Sequence, residues 1–131
     1  MSTIAENIAA IRARIDTAAR TTGRTGADIT LVAATKMNDA ARVREAVAAG
    51  IDACGENRVQ EMTEKLAQGA YTGAPLHFIG HLQTNKVKYM APYVAMIHAI
   101  DSYKLLAEVN KQAAKVHRVI PCLLQIHIAQ E

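Results

Sequence analysis

Five short apolar runs punctuate this chain, all but the last followed within a few residues by a stretch of helical periodicity, and that alternation constrains the fold more than any other feature. The runs cover residues 29–35, 51–54, 76–80, 94–100 and 119–128. They are nearly continuous in apolar character, as strands buried on both faces are. Between them, Asn38 or Asp39 is placed to cap a helix striped by Val43, Ala46 and Val47 and closed by Gly50. A second helix carries Val59, Met62 and Leu66 inward and is closed by Gly69. Thr84 opens a shorter one that Pro92 ends, and Asp101 with Ser102 caps a fourth, carrying Leu105, Leu106 and Val109. Ahead of the first run, Ile4, Ile8, Ile11 and Ile15 recur at helical spacing behind Thr3 and Glu6, a capping-box pair. The arginines of that leading helix, Arg12, Arg14 and Arg20, read as its wet side. Strand and helix alternating over such short connections predict right-handed βαβ units and a parallel sheet.

Two architectures share that element order. A doubly wound open sheet is complete at about this length, whereas a TIM barrel needs eight strands and typically ~250 residues. No Gly-x-Gly-x-x-Gly turn follows the first run and no P-loop occurs, so the usual ligand signatures of the open sheet are missing. With 131 residues, half of them hydrophobic, one domain spanning 1–131 is expected.

Charge and composition exclude some partners. The net charge of +3 is spread over helices and interleaved with Asp and Glu, and four tyrosines and one phenylalanine offer few stacking platforms, so nucleic acid is not expected. Cys54 and Cys122 lie in separate apolar runs without metal-type or redox-type spacing, which fits reduced thiols. There is no signal-peptide pattern and no apolar segment long enough to span a bilayer, so a cytoplasmic protein with no membrane partner is expected.

In either architecture ligands gather where parallel strands end, and four of these ends are polar. The first is Lys36, closing LVAATK. A lysine held at the mouth of a sheet loses charge on burial and becomes a nucleophilic amine suited to Schiff-base chemistry, although an isolated strand-end lysine most often just carries its head to water. The others are Gly55-Glu56-Asn57, the run HFIGHLQTNK from His77 to Lys86, and Ile100-Asp101-Ser102. Helices starting there add free amide hydrogens and a positive dipole end, which suits an anionic ligand.

Taken together these pieces resemble the pyridoxal phosphate homeostasis protein family, the YggS or PROSC type, relatives of the alanine racemase barrel domain. LVAATK, the GEN-x-VQE run from Gly55 to Glu61, HFIGHLQTNK, the IDS turn from Ile100 and LLQIHIAQE from Leu123 occur in the family's order over almost the whole chain. The resemblance implies an α/β fold of TIM type, here a partial (β/α) barrel of a leading helix and about five parallel strands. It also implies pyridoxal 5'-phosphate (PLP) held as a Schiff base by Lys36. Asn57 is a candidate donor to the phenolic oxygen of the cofactor, or a cap for the helix after it. His77 and His81 are spaced for one strand face, so that one faces the pocket or packs in a hydrogen bond. Gly80 marks either a close approach of backbone to ligand or a turn. Gln83, Asn85 and Lys86 begin the next helix, facing the site or satisfying backbone groups.

The chain departs from the family where Thr35, Met37, Asn38 and Asp39 replace a usual Ser, Thr, Lys and Pro around the lysine, where Leu76 replaces an aromatic, and where His127 replaces Asn. Family members also continue for roughly three further strands of the eight-stranded barrel. Those strands carry the phosphate-holding loops and the group facing the pyridine nitrogen. A chain ending after the fifth strand is expected to be a fragment, to self-associate, or to take a complementing C-terminal segment, because an open parallel sheet exposes an edge.

The function implied is a non-catalytic PLP carrier. A racemase-type enzyme is the alternative, and it needs a second acid/base group across the cofactor. A hydrolase metal site from His81, His98 and His127 has neither His-x-His nor His-Glu-x-x-His behind it. A ligand-free structural fragment is the remaining reading.

Overall fold

All five strands are parallel and lie side by side in chain order, β1-β2-β3-β4-β5, in the computed structural model, which describes residues 2–128. The elements run α1 (Ile4–Arg20), β1 (Val32–Ala34), α2 (Ala40–Ala48), β2 (Ala53–Glu56), α3 (Val59–Ala67), β3 (Leu76–Phe78), α4 (Val87–Met90), β4 (Met96–Ile100), α5 (Tyr103–Lys115) and β5 (Cys122–Leu124). Single 3-10 turns precede β1 at Gly26–Asp28 and α4 at Thr84–Lys86. This order settles the choice between architectures. A doubly wound sheet reverses direction and keeps its first strand inside, whereas right-handed crossovers that all step the same way lay every helix on one face and begin a barrel wall.

The register shows which residues face those helices. Ala33, Cys54 and Leu76 lie side by side, as do Glu56, Phe78 and Ile97. Cys54, Leu76, Phe78 and Ile97 join one buried cluster with Ile8 of α1, Val43 of α2, Met62 of α3, Val87 and Met90 of α4, and Leu105 and Val109 of α5. On the opposite, inner face the same register aligns Ala34, Gly55, His77 and Met96. A side chain at Gly55 would meet Ile79 Cδ1 at 2.9 Å and Val32 Cγ1 at 3.1 Å, so glycine is what lets these two inner-face residues close over β2.

Helix boundaries follow the capping residues. Thr3, Asp39 and Ser102 accept from the N–H groups of Glu6, Arg42 and Leu105, and Gly50 and Gly69 take the left-handed conformation after α2 and α3. Four of the strands are shorter than their apolar runs, and β2, of equal length, is displaced. It covers Ala53–Glu56 instead of 51–54, because Asp52 spends its carboxylate on the Leu31 N–H (2.6 Å) at the strand entry while Glu56 is carried into the sheet. The fifth strand is confined to Cys122–Leu124, with Leu123, Leu124, Ile126 and Ile128 exposed at the sheet's edge. Residues 129–131 of the LLQIHIAQE piece lie outside the described residues. Arg12 is more than a wet-face residue: it donates to Gly50 O (2.6 Å) and pairs with Asp52 (3.0 Å), tying α1 to the entry of β2. No helix among the described residues is long and apolar enough to cross a membrane.

Candidate functional site

Lys36 stands two residues beyond Ala34. Thr35 N–H still bonds to Gly55 O (2.9 Å), so the ladder reaches one step past β1, and Lys36 opens the turn that follows, closed by Asn38 N–H on Thr35 O (3.2 Å). It is exposed. The burial expected from the sequence is therefore absent, because Lys36 stands in an exposed turn at the strand exit.

Asn57 follows β2 directly and does not cap α3, whose N-cap position is Arg58. Its Oδ1 is buried without a hydrogen-bond partner. Turning the amide exchanges that oxygen for the NH2 group, so the side chain keeps an unspent donor or acceptor at the strand end. Gly80 fits tightly against it: a Cβ there would lie 2.8 Å from Asn57 Cα and 2.9 Å from Asn57 O. The close approach foreseen at Gly80 is thus to the backbone of the neighbouring loop.

Asn57 and His81 line one cleft of about 290 Å³, together with Arg58, Gln60, Gln83 and Lys86. His81 is exposed and its Nδ1 lies 3.9 Å from Asp101, which brings the HFIG and IDS pieces together at the rim. His77 is elsewhere. It lies on the inner face with its Nδ1 2.9 Å from His98 Nε2, an arrangement in which one ring donates to the other. Burial, and then the neighbouring His98, hold His77 below the ordinary histidine range. Lys36 and His77 are not among the residues lining that cleft. A larger open hollow of about 780 Å³ between the start of α1 and the end of α2 involves none of the strand-end residues. No group of three or more His, Cys, Asp and Glu side chains among the described residues is arranged to hold a metal ion.

Sequence reasoning missed the buried charge network under Lys36. Glu56, fully buried, faces the helices, and its Oε2 accepts from Thr35 Oγ1 (2.7 Å), Lys65 Nζ (2.8 Å) and Tyr71 OH (2.7 Å). Lys65 Nζ also donates to Thr35 O (2.7 Å) and pairs with Glu61 Oε2 (2.8 Å). Glu61 Oε2 in turn accepts from Met37 N–H at 2.6 Å. Burial pushes the Lys65 ammonium down, but the two carboxylates outweigh it and raise it above the ordinary lysine value. Burial likewise pushes Glu61 up, yet Lys65 and the Met37 amide hold it below the usual glutamate range. Tyr71 is driven well above the normal phenol range by burial and by its bond to Glu56. The signal lay in the spacing Glu56, Glu61, Lys65: the last two are four apart on one helix face, and the first ends the strand beside it.

Known proteins resemble the chain over nearly all of its length. The family profile described as alanine racemase, N-terminal domain, matches residues 6–129. The chain is 40% identical over 131 residues to a pyridoxal phosphate homeostasis protein of Pseudomonas aeruginosa, covering 100% of itself and 57% of that relative. With the Escherichia coli protein of the same name it shares 37% over 134 residues, again spanning 57% of the relative. The structure of PipY from Synechococcus elongatus with PLP bound superposes with a TM-score of 0.83 at 31% identity, covering 97% of this chain and 56% of that one. PipY without PLP gives 0.84. The chain therefore spans a little over half the length of these relatives.

Proposed function

The chain belongs to the alanine racemase N-terminal domain family, on its pyridoxal phosphate homeostasis side, and from that premise we propose that it binds pyridoxal 5'-phosphate through Lys36 as a non-catalytic carrier. The observation that supports this reading is that Lys36 follows directly on the exit of the first strand of a barrel wall. Asn57, its Oδ1 unpartnered, stands at the exit of the second.

These residues fit such a cofactor chemically. When bound, it supplies an aldehyde for an amine to capture and an anionic phosphate that needs donors. Lys36 offers an accessible amine. Asn57 contributes its free amide group, Gly80 leaves room for the Asn57 backbone, and His81 and Gln83 with the cationic Arg58 and Lys86 form a polar rim beside it. His77, turned to His98 on the inner face, shapes the wall below the strand ends. A segment completing the barrel beyond β5, from a C-terminal extension or a second copy, would close the inner face and cover the exposed Leu123, Leu124, Ile126 and Ile128.

The test is a spectroscopic titration. Wild-type protein is expected to develop a new cofactor absorbance band that Lys36→Ala lacks, and to leave the chirality of a panel of amino acids unchanged. Equal spectra for the two proteins would contradict Lys36 as the anchor, and racemisation would replace the carrier by an enzyme.

A further inference from the structure

Both neighbours of Lys36 are pinned from below. Thr35 is held at three points: its N–H by Gly55 O, its carbonyl by Lys65 Nζ, and its hydroxyl by Glu56. Met37 is in the left-handed conformation, φ +62, although the residue is 92% exposed and gains nothing from packing there. A non-glycine residue keeps that conformation only where its surroundings impose it, and such strain gathers at functional positions. Met37 is the third residue of a turn that Asn38 N–H closes onto Thr35 O (3.2 Å), and the side chain that braces this turn is Glu61, whose Oε2 accepts from Met37 N–H at 2.6 Å. Glu61 is itself fixed by Lys65, which is fixed by the buried Glu56. On the other side, Asn38 Nδ2 donates to Lys36 O at 3.1 Å.

We propose that Glu61, seated on Lys65 and through it on Glu56, is a positioning residue that sets the direction in which Lys36 leaves the first strand by holding Met37 left-handed. The assignment rests on the reading of Lys36 as the cofactor's anchor. Without the clamp, only the Asn38 N–H to Thr35 O bond holds the turn, so Met37 leaves the left-handed conformation more often and rotates the peptide that follows Lys36. The amine then leaves the strand exit over a wider range of directions. Because the Met37 amide lies at an exposed turn, water replaces the lost acceptor and the fold survives.

The experiment uses the full chain with three substitutions: Glu61→Leu, which removes the acceptor; Glu61→Gln, which keeps the shape without the charge; and Met37→Gly, which makes the left-handed conformation free of strain. Two quantities are read. One is hydrogen exchange at the Met37 amide without cofactor. The other is the yield of borohydride-reduced pyridoxyl adduct at Lys36 relative to the exposed Lys88 and Lys104 in the same digest, from pH 6 to 9. Glu61→Leu is expected to speed Met37 exchange and lower the Lys36 ratio roughly tenfold, and Glu61→Gln roughly threefold. Adding Met37→Gly to either is expected to restore the ratio, which a general loss of stability would not allow. A folded Glu61→Leu protein with the wild-type ratio, or a loss that Met37→Gly does not restore, overturns the proposal. Should Glu61→Leu fail to fold, wild-type exchange and ratio in Glu61→Gln overturn it equally. A wild-type chain that shows no preference for Lys36 overturns the cofactor reading instead, and the exchange measurement then decides the clamp alone.

Discussion

Replacing Lys65 by methionine removes the only cation touching the buried carboxylate of Glu56 among the described residues, at nearly constant volume. Breaking a buried ion pair by deleting one partner costs about 3–5 kcal/mol, because the survivor stays charged in a place with little water. Here Glu56 retains two neutral donors, Thr35 Oγ1 and Tyr71 OH, so the lower part of that range, about 3–4 kcal/mol, is expected. With a urea m-value of about 1.5–2 kcal/mol/M for a domain of this size, the midpoint followed by far-UV circular dichroism falls by about 2 M. The pH dependence is the sharper criterion. In the wild type, Glu61's lowered pKa contributes stability that is present above the ordinary glutamate range and lost as pH falls through its folded value. Lys65's raised pKa contributes stability present below the ordinary lysine range and lost as pH rises through its folded value. Between them the network is indifferent to pH. In Lys65→Met, Glu61 loses the partner that held it low, so the loss of stability as pH falls through the glutamate range should be smaller than in the wild type, and the alkaline loss should be absent. Adding Glu56→Gln should recover much of the loss. A penalty below about 1 kcal/mol, or a variant with the wild-type pH profile, would refute the view that this network is one coupled unit centred on a buried ion pair.

Gly80→Ala should destabilise by about 1–3 kcal/mol and cost more than Gly55→Ala, since the first new methyl meets the Asn57 backbone at 2.8 Å while the second meets the movable ends of Ile79 and Val32; paired urea melts give the ranking. His77, held low by burial and by His98, contributes stability that is complete above the ordinary histidine value and lost as pH falls through its lower folded value. His77→Leu should therefore show a flatter stability profile between pH 7.5 and 5.5 than the wild type, read from thermal melts at fixed ionic strength.

Element type and order were legible because each rests on local chemistry. Asp39, Ser102, Gly50 and Gly69 cap or end helices for reasons contained within a few residues, and the stripes of α2, α3 and α5 point to one core. Pattern could not separate barrel wall from doubly wound sheet, since the difference lies in which neighbour each strand chooses. Only the recurring family pieces leaned toward the barrel.

Charged residues were where local reading failed. Glu56 reads only as part of a polar strand end, and Lys65 carries no local signal, because each is tolerable inside only with the other present. Lys36 failed the opposite way: a strand end predicts burial only if something covers the inner face, and covering strands are not a local property. The neighbourhood of Asn57 and Gly80 was half legible, since a glycine announces a close approach without saying to what.

The most direct test is to incubate the protein with PLP, reduce with borohydride, and map the pyridoxyl group by peptide mass. One group per chain, confined to the peptide bearing Lys36 and lost in Lys36→Ala, is the expected result. Label shared evenly among exposed lysines such as Lys88 and Lys104, or undiminished in Lys36→Ala, would contradict the central claim that this strand-end amine is the one that holds the cofactor.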